Sequence, residues 1–125
     1  MGKKYLIDTN ILVDAQMKKL HEKGLQFLVD IINEDFTVSF ITYIEFLGYK
    51  YATQATVDFI ALADIIEINK PIIDTCIALR KVHNIKPPDD IIAATALANG
   101  LVLVSRNISD FKNIAGLKVI DPWNL

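Results

Sequence analysis

Short apolar runs alternate with amphipathic stretches along this chain. Tyr5-Leu6-Ile7 is apolar and stops at Asp8-Thr9-Asn10, as a buried strand does where it runs into a polar turn. Thr9 or Asn10 can then cap a short helix through Ile11-Leu12-Val13. Leu20, Phe27, Leu28, Ile31 and Ile32 recur at helical spacing with Lys19, Glu22 and Lys23 between them, which predicts an amphipathic surface helix. Phe36 to Phe40 is rich in strand formers, whereas Ile41 to about Thr53 fits a helix better than a long strand. A further helix is expected over Ala55 to Ala63, and a strand over Ile65-Ile66-Glu67-Ile68. Asn69 caps the next helix, Pro71 sits in its first turn, and Ile72, Cys76 and Leu79 mark its inner face.

Pro87-Pro88 stops that pattern, since neither proline donates a backbone hydrogen bond. Asp89 opens a helix that is apolar nearly all round, Ile91 to Ala98, and therefore belongs inside the core. Asn99-Gly100 closes it, and Leu101-Val102-Leu103-Val104 follows at once as a buried strand. Leu117-Lys118-Val119-Ile120 reads as the last strand, Asp121-Pro122 as a turn, and Trp123 as a side chain that packs back on the body. Continuous strand runs alternating with helices predict an α/β fold with a mostly parallel sheet covered on both faces. At 125 residues this is one domain, 1–125, with no repeat or linker.

Composition narrows the class. With 52% hydrophobic and 22% charged residues, five glycines and four prolines, the chain is neither disordered nor collagen-like. The net charge of −2 gives no global field to attract nucleic acid, so such binding must rest on a local patch or a bound metal. A single cysteine, Cys76, excludes an internal disulfide and a cysteine-rich zinc site. Asp8 interrupts the apolar run after the basic start too early for a signal peptide, and no stretch approaches a membrane span. A cytoplasmic protein is expected.

The acids carry the functional signal. In a parallel sheet, ligands bind beyond the carboxyl ends of the strands. Asp8-Thr9-Asn10 and Ser105-Arg106-Asn107 both follow strands, so both lie on that rim. The helix opened by Asp89 leads into the second of these strands and therefore begins on the same rim. Glu45 is the only charge between Phe36 and Tyr49, and its helical neighbours Ile41, Gly48, Tyr49 and Ala52 offer it no partner. A charge buried there would need a metal ion or a cation from elsewhere, and Gly48 leaves room for an approach. Taken singly, each acid has an ordinary role. Asp8 would be a strand-end cap, Asp89 an N-cap, Asp90 a solvated first-turn acid, and Glu45 half of an ion pair with a distant Lys or Arg. Convergence on one rim favours a metal, and oxygen ligands suit Mg²⁺ or Mn²⁺. His21, on a polar helix surface, and His83, near a helix end, have no metal-ligand spacing. Phosphate-loop, nucleophile-elbow and Cys–His motifs are missing. Tyr43, Phe46, Tyr49 and Tyr51 read as core rather than a base-stacking platform.

These residues together resemble the PIN-domain ribonucleases, most closely the VapC-type toxins of toxin–antitoxin pairs. Tyr5-Leu6-Ile7-Asp8-Thr9-Asn10-Ile11-Leu12 resembles the family's opening strand, and Ile41-Thr42-Tyr43-Ile44-Glu45 the segment that carries its glutamate. Pro88-Asp89-Asp90-Ile91-Ile92-Ala93-Ala94-Thr95-Ala96 is similar to the Pro-Asp-Ala-x-Ile-Ala-Ala-Thr pattern, with Asp90 where alanine is usual. Val104-Ser105-Arg106-Asn107, Asp110-Phe111 and Val119-Ile120-Asp121-Pro122-Trp123 resemble its Thr-Arg-Asn, Asp-Phe and closing elements. Ser105 replaces threonine, and Asn107 stands where many relatives carry a fourth acid.

The resemblance implies a PIN-like three-layer α/β/α domain and a metal-dependent endoribonuclease. Asp8, Glu45 and Asp89 would hold Mg²⁺ or Mn²⁺, with Asn107 or Asp110 in the fourth position and Asp90 as an extra carboxylate beside Asp89. Thr9, Asn10, Ser105 and Arg106 would meet the RNA substrate, and Lys3, Lys4, Arg80, Lys81 and Lys86 would form a track for its backbone. It also implies a homodimer and a cognate antitoxin protein lying in a groove to which Tyr43–Tyr51 contributes. Two alternatives stay open: a PIN-like domain that binds RNA or protein without cutting, and a phosphoacceptor signalling domain. The second needs a lysine close to the acidic pocket after a late strand, which Val104-Ser105-Arg106 does not supply.

Overall fold

The computed structural model describes residues 4–125. Five short strands alternate with helices in the order β1 (Tyr5–Ile7), α1 (Thr9–Gln16), α2 (Glu22–Asp35), β2 (Thr37–Ser39), α3 (Phe40–Leu47), α4 (Gln54–Ile60) and β3 (Asp64–Ile66). They continue as α5 (Lys70–Val82), α6 (Asp89–Ala98), β4 (Val102–Val104), α7 (Ile108–Phe111) and β5 (Val119–Ile120), and a single 3₁₀ turn closes the chain at Pro122–Asn124. Every strand pairing is parallel: β1 with β4, β4 with β5, and β2 with β3. The two hydrogen-bonded pieces lie side by side through β1 and β2.

Alternation along β1 and β4 sorts the core into two layers, because successive strand residues point to opposite faces. Ile7 and Val104 join Ile11, Leu12, Leu28 and Phe46, a core built with α1 to α4. Leu6 and Leu103 join Ile72, Ile92, Ala93 and Phe111 under α5, α6 and α7. This is the three-layer α/β/α arrangement expected from the sequence. Helix α6 is buried through Ile92, Ala93, Ala94, Thr95 and Ala96, as its all-round apolar character requires. Among the described residues no helix is long and apolar enough to cross a membrane.

Local chemistry sets the boundaries. Asn69 caps α5 by accepting from the Ile72 N–H, with Pro71 in the first turn. Gly100, at φ 65°, takes the left-handed turn that admits glycine readily, just before β4. The expected helix from Ile41 to Thr53 ends early, at Leu47, because Gly48 caps it. Gly48 is exposed, and a Cβ there would meet only carbonyls of its own helix, Ile44 and Glu45. Position 24 is glycine for a reason of space: a Cβ there would run into the Pro122 carbonyl, against which α2 packs.

His21 is exposed, as expected, and is also the N-cap of α2: its Nδ1 accepts from the Gly24 N–H at 3.2 Å, and its Nε2 lies 3.1 Å from the Trp123 carbonyl oxygen. One expected surface role is corrected. Asp90 is not solvated. It is 1% exposed and bound by the Arg80 guanidinium at 2.6 Å, across the α5–α6 contact.

Candidate active site

The carboxyl ends of β1, β2 and β4 deliver the site. Asp8 follows β1 and is itself the N-cap of α1, in place of the Thr9 or Asn10 cap expected from the sequence. Its Oδ1 accepts from the Thr9 N–H at 2.8 Å. Its Oδ2 accepts from the Ser105 hydroxyl at 2.8 Å and from the Asn10 amide at 3.4 Å. Ser105, after β4, is fully buried, and its oxygen also accepts from the Asn107 N–H at 3.0 Å. Ser105 thus holds Asp8 and does not face a substrate, which corrects its expected role. Asn10 points inward in the same way, its Oδ1 accepting from the Arg106 N–H at 3.2 Å.

Glu45 lies on α3, close to the carboxyl end of β2. It is exposed, so the burial cost that singled it out does not apply. What orients it is the Thr9 hydroxyl, which donates to its Oε1 at 2.6 Å, a charge-assisted bond. Behind Thr9, the Thr42 hydroxyl is 3.1 Å away, and Ser39 donates to Thr42 at 3.3 Å. This Ser39–Thr42–Thr9 hydroxyl chain was missed. Its signal was available: Ser39, Thr42 and Glu45 lie three apart, one helix face that starts at a serine cap.

Asp89 is the first residue of α6, yet its carboxylate does not cap the helix; Pro88 occupies the cap and no side-chain bond closes it. The carboxylate is left half-buried at a helix N-terminus. Burial pushes its pKa up, and the charges of Asp110, Glu45 and Asp90 push it further, against the lowering influence of Lys86. Asp8 behaves alike: burial raises its pKa from 3.8 to about 6, with Ser105 and the Thr9 N–H opposing and Asp89 and Glu45 adding to the rise. These couplings bring Asp8, Glu45, Asp89 and Asp110 into one field. Asp110 lines a cavity together with Asp89, and Asn107 donates its backbone N–H to the Ser105 oxygen.

Among the described residues, no Lys or Arg forms a salt bridge with any of these four acids. The two arginines nearby are committed elsewhere, while Lys86 acts on Asp89 without a salt bridge. Arg106 reaches Asp14 at 3.3 Å, and Asp14, 3% exposed, also takes the Trp123 indole N–H at 2.8 Å. Asp14 was not singled out from the sequence, although a lone acid within an apolar α1 called for a partner. Arg80 is taken by Asp90. Lys4 precedes β1, at the opposite rim from Asp8, and lies 3.7 Å from Asp35. Lys81 and Lys86 remain exposed, and Lys3 lies outside the described residues.

The donor set is all oxygen and mutually repulsive, which fits a hard divalent cation in charge and in chemistry. As the side chains stand, no three His, Cys, Asp or Glu groups among the described residues are close enough together to hold one.

Comparison with known proteins supplies the context. The PIN domain family model matches residues 5–117. Comparison with curated proteins gives no match. Solved structures share the fold over nearly the whole chain. A toxin–antitoxin complex from Klebsiella pneumoniae is 33% identical, covering 95% of this chain and 98% of its own, with a TM-score of 0.78. VapBC2 from Rickettsia felis, bound to a DNA fragment from its promoter, is 26% identical over 93% of this chain and 96% of its own, with a TM-score of 0.76. FitAcB from Neisseria gonorrhoeae, 22% identical over 97% of this chain and 99% of its own, has the same fold with a TM-score of 0.78.

Proposed function

Given that the chain belongs to the PIN-domain family, we propose that it is the toxin nuclease of a type II toxin–antitoxin pair, a metal-dependent endoribonuclease acting in the cytoplasm. The observation that carries the reading is the rim cluster of Asp8, Glu45, Asp89 and Asp110, coupled by charge and without a salt-bridged cation. Asp8, Glu45 and Asp89 would hold Mg²⁺ or Mn²⁺, with Asp110 or Asn107 in the fourth position. A divalent ion, when bound, supplies the charge that acidifies an attacking water and offsets the scissile phosphate.

The chain's own residues prepare the site. Ser105 and the Thr9 N–H fix the two oxygens of Asp8, so its carboxylate is oriented before any ligand arrives. The Thr9 hydroxyl does the same for Glu45. The N-terminus of α6 favours negative charge at Asp89. No side-chain nucleophile is required of such a site.

The antitoxin partner has a matching surface. An apolar cavity of ≈ 330 Å³ opens between α1, α2 and α4, lined among others by Leu12, Leu25, Leu28, Phe46 and Phe59. An amphipathic segment of the partner fits there by burying apolar side chains. Phe46 comes from the Tyr43–Tyr51 stretch; Tyr51 is exposed with Lys50 over its ring and takes no part in the core.

Cleavage of a mixed RNA pool tests the reading, with Mg²⁺, Mn²⁺ or EDTA and an Asp89→Asn control. Metal-dependent cleavage that falls on the order of a hundredfold or more in the variant is expected. Cleavage that survives EDTA or the substitution sinks the mechanism, and a folded protein that binds RNA without cutting it would be the non-nuclease member of the fold.

A further inference from the structure

A second cavity, polar where the first is apolar, adjoins the acidic rim. It measures ≈ 340 Å³ and is lined by His83, Asn84, Lys86, Asp89, Ser109, Asp110 and Asn113, together with Ile85. Its walls are the α5–α6 connection on one side and α7 with the residues after it on the other. Asp89 and Asp110 belong both to this cavity and to the acidic cluster, so whatever fills it lies directly beside those carboxylates.

We propose that this cavity seats the nucleotide next to the scissile phosphate, and that Asn84, Asn113 and Ser109 select its base. The inference rests on the ribonuclease reading and deepens it. The size is at the small end for ligand pockets, suited to one nucleotide rather than a folded RNA element. Each asparagine offers both donors and an acceptor, the pattern needed to read the edge of a splayed single-stranded base. Among the described residues, no hydrogen bond occupies the side chains of Asn84, Ser109 or Asn113. A serine hydroxyl is suited to the ribose 2′-OH, which distinguishes RNA from DNA. Lys86 supplies the cation for a flanking phosphate. Two carboxylates in the wall disfavour a free anion, while a nucleotide arriving together with the site's cation is not repelled. The lining holds no Trp, Tyr or Phe; the His83 imidazole is its one ring for stacking, and the amides and hydroxyl supply the contacts to the base edge.

The test compares cleavage patterns rather than rates. A randomised RNA pool is cut by the wild-type chain, by Asn113→Ala and by Asn84→Ala, and the new ends are sequenced. The expected result is a base preference beside the cut that relaxes on the order of tenfold in at least one variant, with a smaller loss of rate on the best substrate. Short labelled homopolymers of A, C, G and U, binding to the same variants in an Asp8→Asn background, should lose their affinity ranking in parallel. Superimposable cleavage patterns from wild type and folded variants overturn the inference while leaving the nuclease intact. If no RNA is cut, the nuclease reading falls, and an unchanged affinity ranking for the four homopolymers then overturns the cavity's role as well.

Discussion

Asp8 is held by the fold at an energetic cost. Its carboxyl titrates at about 6 in the folded chain against 3.8 ordinarily, with burial the leading cause. Below pH 4 the group is protonated in both states and contributes nothing. Between about pH 4 and pH 6 the unfolded chain releases the proton while the folded chain keeps it, so stability falls as pH rises. Above pH 6 the full cost is present, about 3 kcal/mol without a cation. Asp8→Asn should therefore gain on the wild type by up to that amount between pH 4 and pH 7. Urea midpoints in EDTA measure it, and a difference that does not change with pH would refute the burial argument. Mg²⁺ or Mn²⁺ should raise the melting temperature of the wild type and not of this variant, since only a bound ion shifts folding by mass action.

At the scale of elements, the α5–α6 contact carries a buried ion pair that the sequence did not reveal. In sequence, Asp90 looks solvated, as a first-turn acid after two prolines does. Only the packing of α5 against α6 shows that position 90 faces inward, toward Arg80, while Asp89 faces the rim. Asp90 Oδ1 has no hydrogen-bond partner, and the Cys76 thiol, pushed up by burial and then by Asp90, is its neighbour. Removing one partner of such a pair costs more than removing both, because a lone buried charge remains. Arg80→Ala should destabilise by about 2 kcal/mol, below the range for wholly buried pairs because half of the Arg80 side chain meets solvent. Asp90→Ala should cost less, and Arg80→Ala added to it almost nothing. A double-mutant cycle by denaturant unfolding reads this directly. Additive losses would mean that the pair contributes no coupling.

For the whole molecule, strand positions and the two-faced core were legible because strands buried on both faces write themselves into the sequence as unbroken apolar runs, Leu6-Ile7 and Leu103-Val104. The rim was legible for the same reason, since topology alone sends Asp8, Asp89 and the Ser105-Arg106-Asn107 turn to one end of the sheet. Which polar side chains serve and which support was not legible. Ser105, Thr9 and Asn10 look like substrate contacts until their inward hydrogen bonds are seen, and Glu45 looks buried because its neighbours in sequence are apolar. The same limit applies to α5, whose inner face at Ile72 and Leu79 was read correctly but whose outer face was not considered. Ile73 and Ile77, one turn apart, are 41% and 49% exposed, Val82 is 78% exposed, and Ile65 and Ile68 before the helix are also open. Neither core layer uses these side chains, and exposed apolar surface of this kind marks an interaction face. The homodimer implied by the family resemblance would cover them through a two-fold contact, in which the same α5 surface serves both copies. Sedimentation of the full chain should therefore show a dimer, and Ile77→Glu should shift it toward monomer by placing two like charges near the axis. The antitoxin cavity and the acidic rim lie on other elements, so the monomeric variant should keep its fold by circular dichroism and its capacity to bind metal. A variant that stays dimeric would move the interface away from α5.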